Sequence, residues 1–280
     1  MDREQLTEWT DVGARVLQAR ERAGFSQNQL AERLGLSRPS LTRVEQGQRR
    51  LDALELVRLS QATGRSVEWF VSRSPDVFAS HRRGVSAGQD VAALEERLES
   101  TARDVELLAD IGMLTPHPAR LPSGVTTVAE AEAGAEQARE MVGRPGGPLL
   151  ELQSVVENLG LVSFAVDLGS DVIDGGYVRV NGIGVALING TMDAGRRRFS
   201  LAHELGHHLL ADEYTVDFGV GTTREEREAL INVFAIHFLL PRGSVTARWN
   251  ELASEWDDHR RRLVVLAAEY RVSWSAVVSH

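Results

Sequence analysis

Between Val12 and Phe70 apolar positions recur every three or four residues in five short blocks broken by glycine, "VGARVLQARERAG", "SQNQLAERLG", "SRPSLTRVEQG", "LDALELVRLSQATG" and "SVEWF". That period predicts five short helices around one small core, an all-α domain over residues 12–73. "SRSPDVFASHRRGVSAGQD" then loses the period and gains turn residues. "VAALEERLESTARDVELLADIG" recovers helical spacing with charges between, so residues 74–124 are expected to form a linker with a connecting or dimerising helix, a plain solvated helix being the alternative. From Val125 the pattern becomes helix ("TTVAEAEAGAEQAREMVG"), turn ("RPGGP") and helix ("LLELQSVVENLG"). Val-rich runs "LVSFAVDL", "GGYVRV" and "GIGVALING", bounded by Gly, Asn and Asp, predict a small antiparallel sheet. Two strong helices follow, one containing "RRRFSLAHELGHHLL" and one reading "TREEREALINVFAIHFLL" up to Pro241, then a charged helix and "VLAAEYRVSWSAVV". The expected fold class is α+β, with an all-α head, a helical linker and an α+β domain over 125–280.

A chain of 280 residues with 42% hydrophobic and 25% charged residues fits two modest domains, each able to bury a core. No apolar run is long enough to span a bilayer, and "MDREQLTEWTD" is acidic and polar rather than basic then apolar. The expectation is a cytoplasmic protein with no membrane partner. There is no cysteine, which excludes a disulfide framework and thiolate-rich zinc fingers, so a metal must be held by His and carboxylate, with eight His to draw on. Residues 1–73 carry 12 Arg against 10 acids and residues 74–280 carry 19 against 30, a charge of +2 on the head and −11 on the body. Contact with nucleic acid is therefore expected to be local to the head.

In the head, Ser26 with Gln29 forms a capping-box pattern, Ser37 followed by Pro39 marks a second helix start, and Gly35 stands between them as the turn. Two short helices so joined make a helix-turn-helix, whose second helix offers its first residues to base edges in the major groove. Those residues are Arg38, Ser40, Thr42 and Arg43; Gln27, opening the preceding helix, can reach a phosphate or a base. Arg pairs with guanine through two nitrogens, while Arg49 and Arg50 beyond the helix read as phosphate contacts that position without specifying. Spacing alone fits exposed Arg on an ordinary helical bundle equally well. "FSQNQLAERLGLSRPSLTRVEQGQR", however, closely resembles the lambda-repressor-like (Xre family) helix-turn-helix over about 60 residues. The resemblance implies sequence-specific binding to a double-stranded DNA operator, usually as a homodimer.

In the body, taking about 100° per residue and His203 as origin, His207 falls at about 40° and Glu204 at about 100°, on one face. Leu201, Ala202, Leu205 and Leu209 form an apolar stripe behind it. Two imidazoles one turn apart suit zinc, and a Glu between them suits a general base acting on metal-bound water. A random chain of this length shows the pattern on the order of once in a hundred. Gly206 is expected to leave room for a substrate backbone. A third ligand is needed. Glu225 and Glu226 open the next helix, where capping from Thr223 and the helix dipole account for them, whereas Glu228 heads into "ALINVFAIHFLLP", where a carboxylate is costly to bury without a cation. Glu228 is the expected third ligand. His208 and His237 face away from the pair and the carboxylate and are assigned structural or supporting roles; His81, His117, His259 and His280 are assigned none.

Together these residues resemble the ImmA/IrrE family of metallopeptidases. "RRRFSLAHELGHHLL" matches its signature helix and "EALINVFAIHFLLP" its second, across roughly Val125 to Trp274. Many members carry Glu two residues after the ligand position, where this chain has Leu230. The resemblance implies a compact peptidase with a gluzincin-like site holding one zinc ion per chain (manganese being the alternative) on His203, His207 and Glu228. Glu204 would be its base and an Xre-type repressor its substrate. The expected function is a DNA-binding regulator carrying an endopeptidase that cuts such a repressor or itself. The alternative is a non-proteolytic repressor or antitoxin whose peptidase-like domain senses metal or ligand, or docks a partner.

Overall fold

The structure, a computed structural model, describes residues 8–65, 67–71, 77–81, 88–115, 121, 125–169, 173–210 and 224–280. The chain divides into two compact units, Met1–Ser74 and Pro75–His280.

The head holds the five helices the spacing predicts, α1 (Trp9–Arg22), α2 (Gln27–Leu34), α3 (Arg38–Glu45), α4 (Ala53–Thr63) and α5 (Val67–Val71). Each apolar stripe turns inward, so Val16, Ala19, Leu30, Leu34, Leu41, Val44, Leu59 and Phe70 share one core. Ser26 and Gln29 close a complete capping box on α2, and Ser37 caps α3 through Ser40 N–H. Gly35 ends α2 at φ 71°, a left-handed turn that favours glycine and sets the angle between the two helices. Asp52 and Glu55 form a second capping box on α4, and the buried Glu55 carboxylate also accepts two hydrogen bonds from Arg49, at 2.7 and 3.0 Å. The Arg49 fork and the Asp52 amide hold the Glu55 carboxyl below its ordinary value of 4.5, against the opposing effect of burial. A depressed carboxylate stabilises the fold above its unfolded value and loses that contribution as pH falls through the folded one. Amide protection factors in α4, corrected for the intrinsic pH dependence of exchange, should therefore fall on acidification, and Glu55→Gln should remove the acid response while costing about 1 kcal/mol at neutral pH. An acid response that survives in the variant would show that other groups carry it.

The second unit is built on a four-stranded sheet in the order β1-β3-β4-β2, with β1 Val77–His81, β2 Leu161–Val166, β3 Ile173–Val180 and β4 Ile183–Asn189. β3 and β4 form a hairpin across Asn181 (φ 47°) and Gly182 (φ 84°), the Asn-Gly turn whose positive φ values match strand twist. The sheet is mixed, which corrects the antiparallel expectation: β2 runs parallel to β4 while β1–β3 and β3–β4 are antiparallel. Alternation of apolar residues reports which face is buried and is blind to the direction of the neighbouring strand.

The sheet is covered on both faces. On one lies α6 (Gly88–Asp110), whose Leu94, Leu98, Ala102 and Val105 pack on Ile173, Val178, Ile183, Val185 and Leu187. The helix read as a linker over 74–124 thus belongs to the second unit, and the stripe that had pointed to a dimer contact covers its own sheet. On the other face are α7 (Val128–Met141), α8 (Leu152–Asn158), α9 (Ala194–Leu210), α10 (Arg224–Leu239), α11 (Arg242–Glu255), α12 (His259–Tyr270) and α13 (Trp274–Ser279). Ala202, Leu205 and Leu209 of α9 meet Phe234, Ala235 and Phe238 of α10 in its core. The fully buried Arg139 of α7 donates to Phe238 O at 2.7 Å and to Gly147 O, pinning the end of α10; burial lowers its pKa to about 10. Among the described residues no single helix is long and apolar enough to cross a membrane.

Candidate metal centre and nucleic-acid interface

α9 is fixed at both ends before it offers any chemistry. Asp193 accepts from Arg196 N–H at its start, and the Arg196 guanidinium pairs with Asp174 of β3. Further along, the Tyr177 hydroxyl meets His208 Nδ1 at 3.0 Å. His208 faces β4 at Gly184, where a Cβ would lie 2.5 Å from its Nδ1, so the glycine is needed for the imidazole to enter. His208 therefore has the supporting role expected of it. His237 is likewise away from the centre, with Nε2 at 3.0 Å from Glu132 and its ring against His280. Burial, outweighing the charge of Glu132, lowers the His237 pKa, and burial with the charge of His237 pushes that of His280 down to about 4.

The remaining face of α9 brings His203 and His207 together, their Nε2 atoms 3.2 Å apart. Glu228 reaches both from α10, with 3.3 Å from Oε2 to His203 Nε2 and 3.8 Å from Oε1 to His207 Nε2. One ligand atom from each residue lies within 4.8 Å of the others, a group able to hold a metal ion. Zinc with bonds of about 2.0–2.1 Å at tetrahedral angles requires donors about 3.3 Å apart, close to what these atoms show. Two imidazoles and one carboxylate also suit zinc better than magnesium, which prefers oxygen alone. Glu204 is fully buried on the same helix, and the Cβ position of Gly175 in β3 lies 3.5 Å from its Oε1. Burial pushes the His203 pKa down; the hydrogen bond His203 donates to Glu228 and the charges of Glu204 and Glu228 outweigh it, and the net shift is upward. The same negative field favours a cation between these side chains.

One residue escaped the sequence reading. Asn232 Oδ1 lies 3.0 Å from His203 Nδ1 and accepts its proton, which leaves the Nε2 lone pair facing the cluster. Its spacing of four from Glu228 placed it on the right stripe of α10, but only the crossing of two helices brings it to His203. Gly206 is a correction. Its Cβ position lies 2.9 Å from Ile231 Cγ2 and 3.2 Å from Phe234 Cδ1, so its bareness admits α10 and not a substrate backbone. Glu225 and Glu226 are exposed, as expected of residues in a first turn, while the cap at Thr223 and His117 lie outside the described residues.

In the head, Gln27, Arg38 and Thr42 gather on one surface, with Arg38 Nε and Thr42 Oγ1 each 3.5 Å from Gln27 Oε1. Glu45 orients Gln27 by accepting from its Nε2 at 2.8 Å, and takes Arg20 Nε at 2.6 Å. Ser40 Oγ is 2.9 Å from Ser37 Oγ, and Arg43 is exposed. Arg50 is exposed and lies over the Trp9 ring, whereas Arg49 has its fork occupied by Glu55. That ion pair gives Arg49 a structural task beside the phosphate contact expected of it.

Comparison with known proteins agrees with this division. Residues 16–70 match the helix-turn-helix family model, and residues 156–279 match the peptidase M78 model of IrrE N-terminal-like domains. A solved structure, the restriction-modification controller protein C.AhdI from Aeromonas hydrophila, is 29% identical over 22% of this chain and 94% of that one, with a TM-score of 0.22. No curated protein matches the chain. The chain thus carries a region similar to helix-turn-helix domains over residues 16–70 and one similar to IrrE N-terminal-like domains of a peptidase family over residues 156–279, and the His203, His207 and Glu228 cluster lies in the second.

Proposed function

We propose that the protein is a cytoplasmic DNA-binding transcriptional regulator whose second domain is a zinc-dependent endopeptidase, directed at an Xre-type repressor or at itself. The observation that carries this reading is the convergence of His203, His207 and Glu228 to within 4.8 Å beside the fully buried Glu204. Metal retention alone has no use for a carboxylate at position 204. A bound zinc would supply an acidified water and polarise the peptide carbonyl. Glu204 takes the proton from the attacking water and returns it to the leaving amine. Asn232 holds His203 in the tautomer that leaves Nε2 free to coordinate. Asn232→Ala should weaken zinc binding about 10–100-fold in a chelator competition titration, with the fold intact. Unchanged affinity would remove Asn232 from the centre.

The deciding experiment is N-terminal profiling of host lysate treated with zinc-loaded protein or with its Glu204→Gln variant. New termini made only by the unsubstituted protein would establish the peptidase and name its substrate. Equal profiles with zinc bound in both would favour the second reading, a non-proteolytic regulator whose body senses metal or docks a partner, which fusion to a DNA reader also supports.

In the head, Arg38, Arg43, Ser40, Thr42 and Gln27 are proposed to face the operator, with Arg50 on a phosphate. Replacing both Arg38 and Arg43 by Ala should abolish operator preference, at about 1–3 kcal/mol for each base pair read through two nitrogens. Footprints unchanged on the selected site would refute that placement.

A further inference from the structure

β3 has β4 on one side and β1 on the other. β1 is antiparallel to β3, with Val77 opposite Val178, Phe78 opposite Tyr177, Ala79 opposite Gly176 and Ser80 opposite Gly175, and a register shift before His81. In sequence it follows directly on the head unit, which ends at Ser74. Its place relative to the metal centre follows from what α9 touches as one goes round it, at about 100° per residue. His208 abuts β4 at Gly184. About 40° further round, Glu204 abuts β3 at Gly175. About 60° beyond that comes His207, its ring nearly parallel to that of Tyr177 at 6.4 Å, and then His203. The circuit thus runs β4, β3, metal centre, so the centre lies past β3 on the side of the edge that β1 covers.

We propose that this edge of β3 is the peptide-binding groove, and that β1, from the segment following the head, occupies it as the chain's own stand-in for an extended substrate. The inference rests on the peptidase reading given above. An open strand edge takes up an extended peptide through main-chain hydrogen bonds, and these do not depend on the identity of the side chains. Gly175 lies beside Glu204, its Cβ position 3.5 Å from Oε1, which keeps β3 free of a side chain there, while Gly176 belongs to the opposite face of the sheet. β1 competes from within the same chain, at an effective concentration that a substrate in solution must overcome. A repressor segment is therefore cut only when β1 has been displaced, which makes the segment behind the DNA reader the regulator of the site.

The test is a binding measurement that needs no turnover. The probe is a fluorescent peptide "PDVFAS" ending in a zinc-binding hydroxamate, titrated into zinc-loaded full-length Glu204→Gln protein. Adding Ala79→Pro with Ser80→Pro, which cannot donate to β3, should tighten binding at least about tenfold. An equal Kd would overturn the proposal. Because the chain has no cysteine, Ala79→Cys with Gly176→Cys creates a single bridge between facing positions and locks β1 in place. The oxidised form should lose peptide binding and regain it on reduction; binding indifferent to reduction would overturn the proposal independently of the proline variant. Casein cleavage by the same variants with Glu204 restored reports separately on the enzyme. If binding responds to β1 while no form cleaves, groove occupancy stands and the peptidase reading falls.

Discussion

Zinc-loaded protein carrying Glu204→Gln should hydrolyse its substrate about 10²–10⁴-fold more slowly while binding zinc as before. The expectation follows from geometry and not only from the motif. Glu204 is fully buried against β3, and the three residues proposed to hold the metal are His203, His207 and Glu228. Replacing one carboxylate oxygen by an amide nitrogen keeps the shape and removes the proton acceptor. The loss belongs in kcat and kcat/KM together, because proton transfer is part of the transition state and not of substrate binding. A zinc-binding Glu204→Gln variant that cleaves at the unsubstituted rate would contradict the mechanism. One that loses zinc would instead show Glu204 supporting the ligands.

Gly206→Leu should weaken zinc binding about tenfold to a hundredfold although no ligand is touched. A Cβ at 206 would lie 2.9 Å from Ile231 Cγ2 and 3.2 Å from Phe234 Cδ1, and a larger side chain forces α9 and α10 apart. Overpacking of this kind costs about 1–3 kcal/mol, and closing the helices again to let Glu228 meet the two imidazoles would oppose metal binding by a similar amount. Gly243→Ala is the control, since its Cβ position meets nothing within 4 Å and it lies within the helix Arg242–Glu255. That change should be neutral or slightly stabilising and leave zinc affinity unaltered. If Gly206→Leu binds zinc normally, the helix crossing is more compliant than its packing implies.

These two positions separate what was legible along the chain from what was not. His203, Glu204 and His207 could be placed on one face from spacing alone, because residues three and four apart on a helix are neighbours whatever surrounds them. Glu228 was legible for another local reason, a carboxylate at the head of an apolar helix. Asn232 and Gly206 were visible as residues, but their tasks belong to the crossing of α9 and α10 and are absent from either helix taken alone. Arg49 shows the same limit in the head. An arginine after a recognition helix reads as a phosphate contact, and only the fold shows that Glu55 also engages it.

By itself, then, the sequence determined the five helices of the head with their caps, the helical reading of the body, the Asn-Gly hairpin and the two-histidine face. Each rests on hydrogen bonds and apolar periods that close within a few residues. Tertiary structure decided the parallel partner of β2, the use of the 88–110 helix as one cover of the sheet, the convergence of Glu228 and Asn232 on His203, and the placing of β1 on the edge of β3. In each of these the partners are distant in the chain, and which meets which depends on packing two faces at once, a constraint that no local period records.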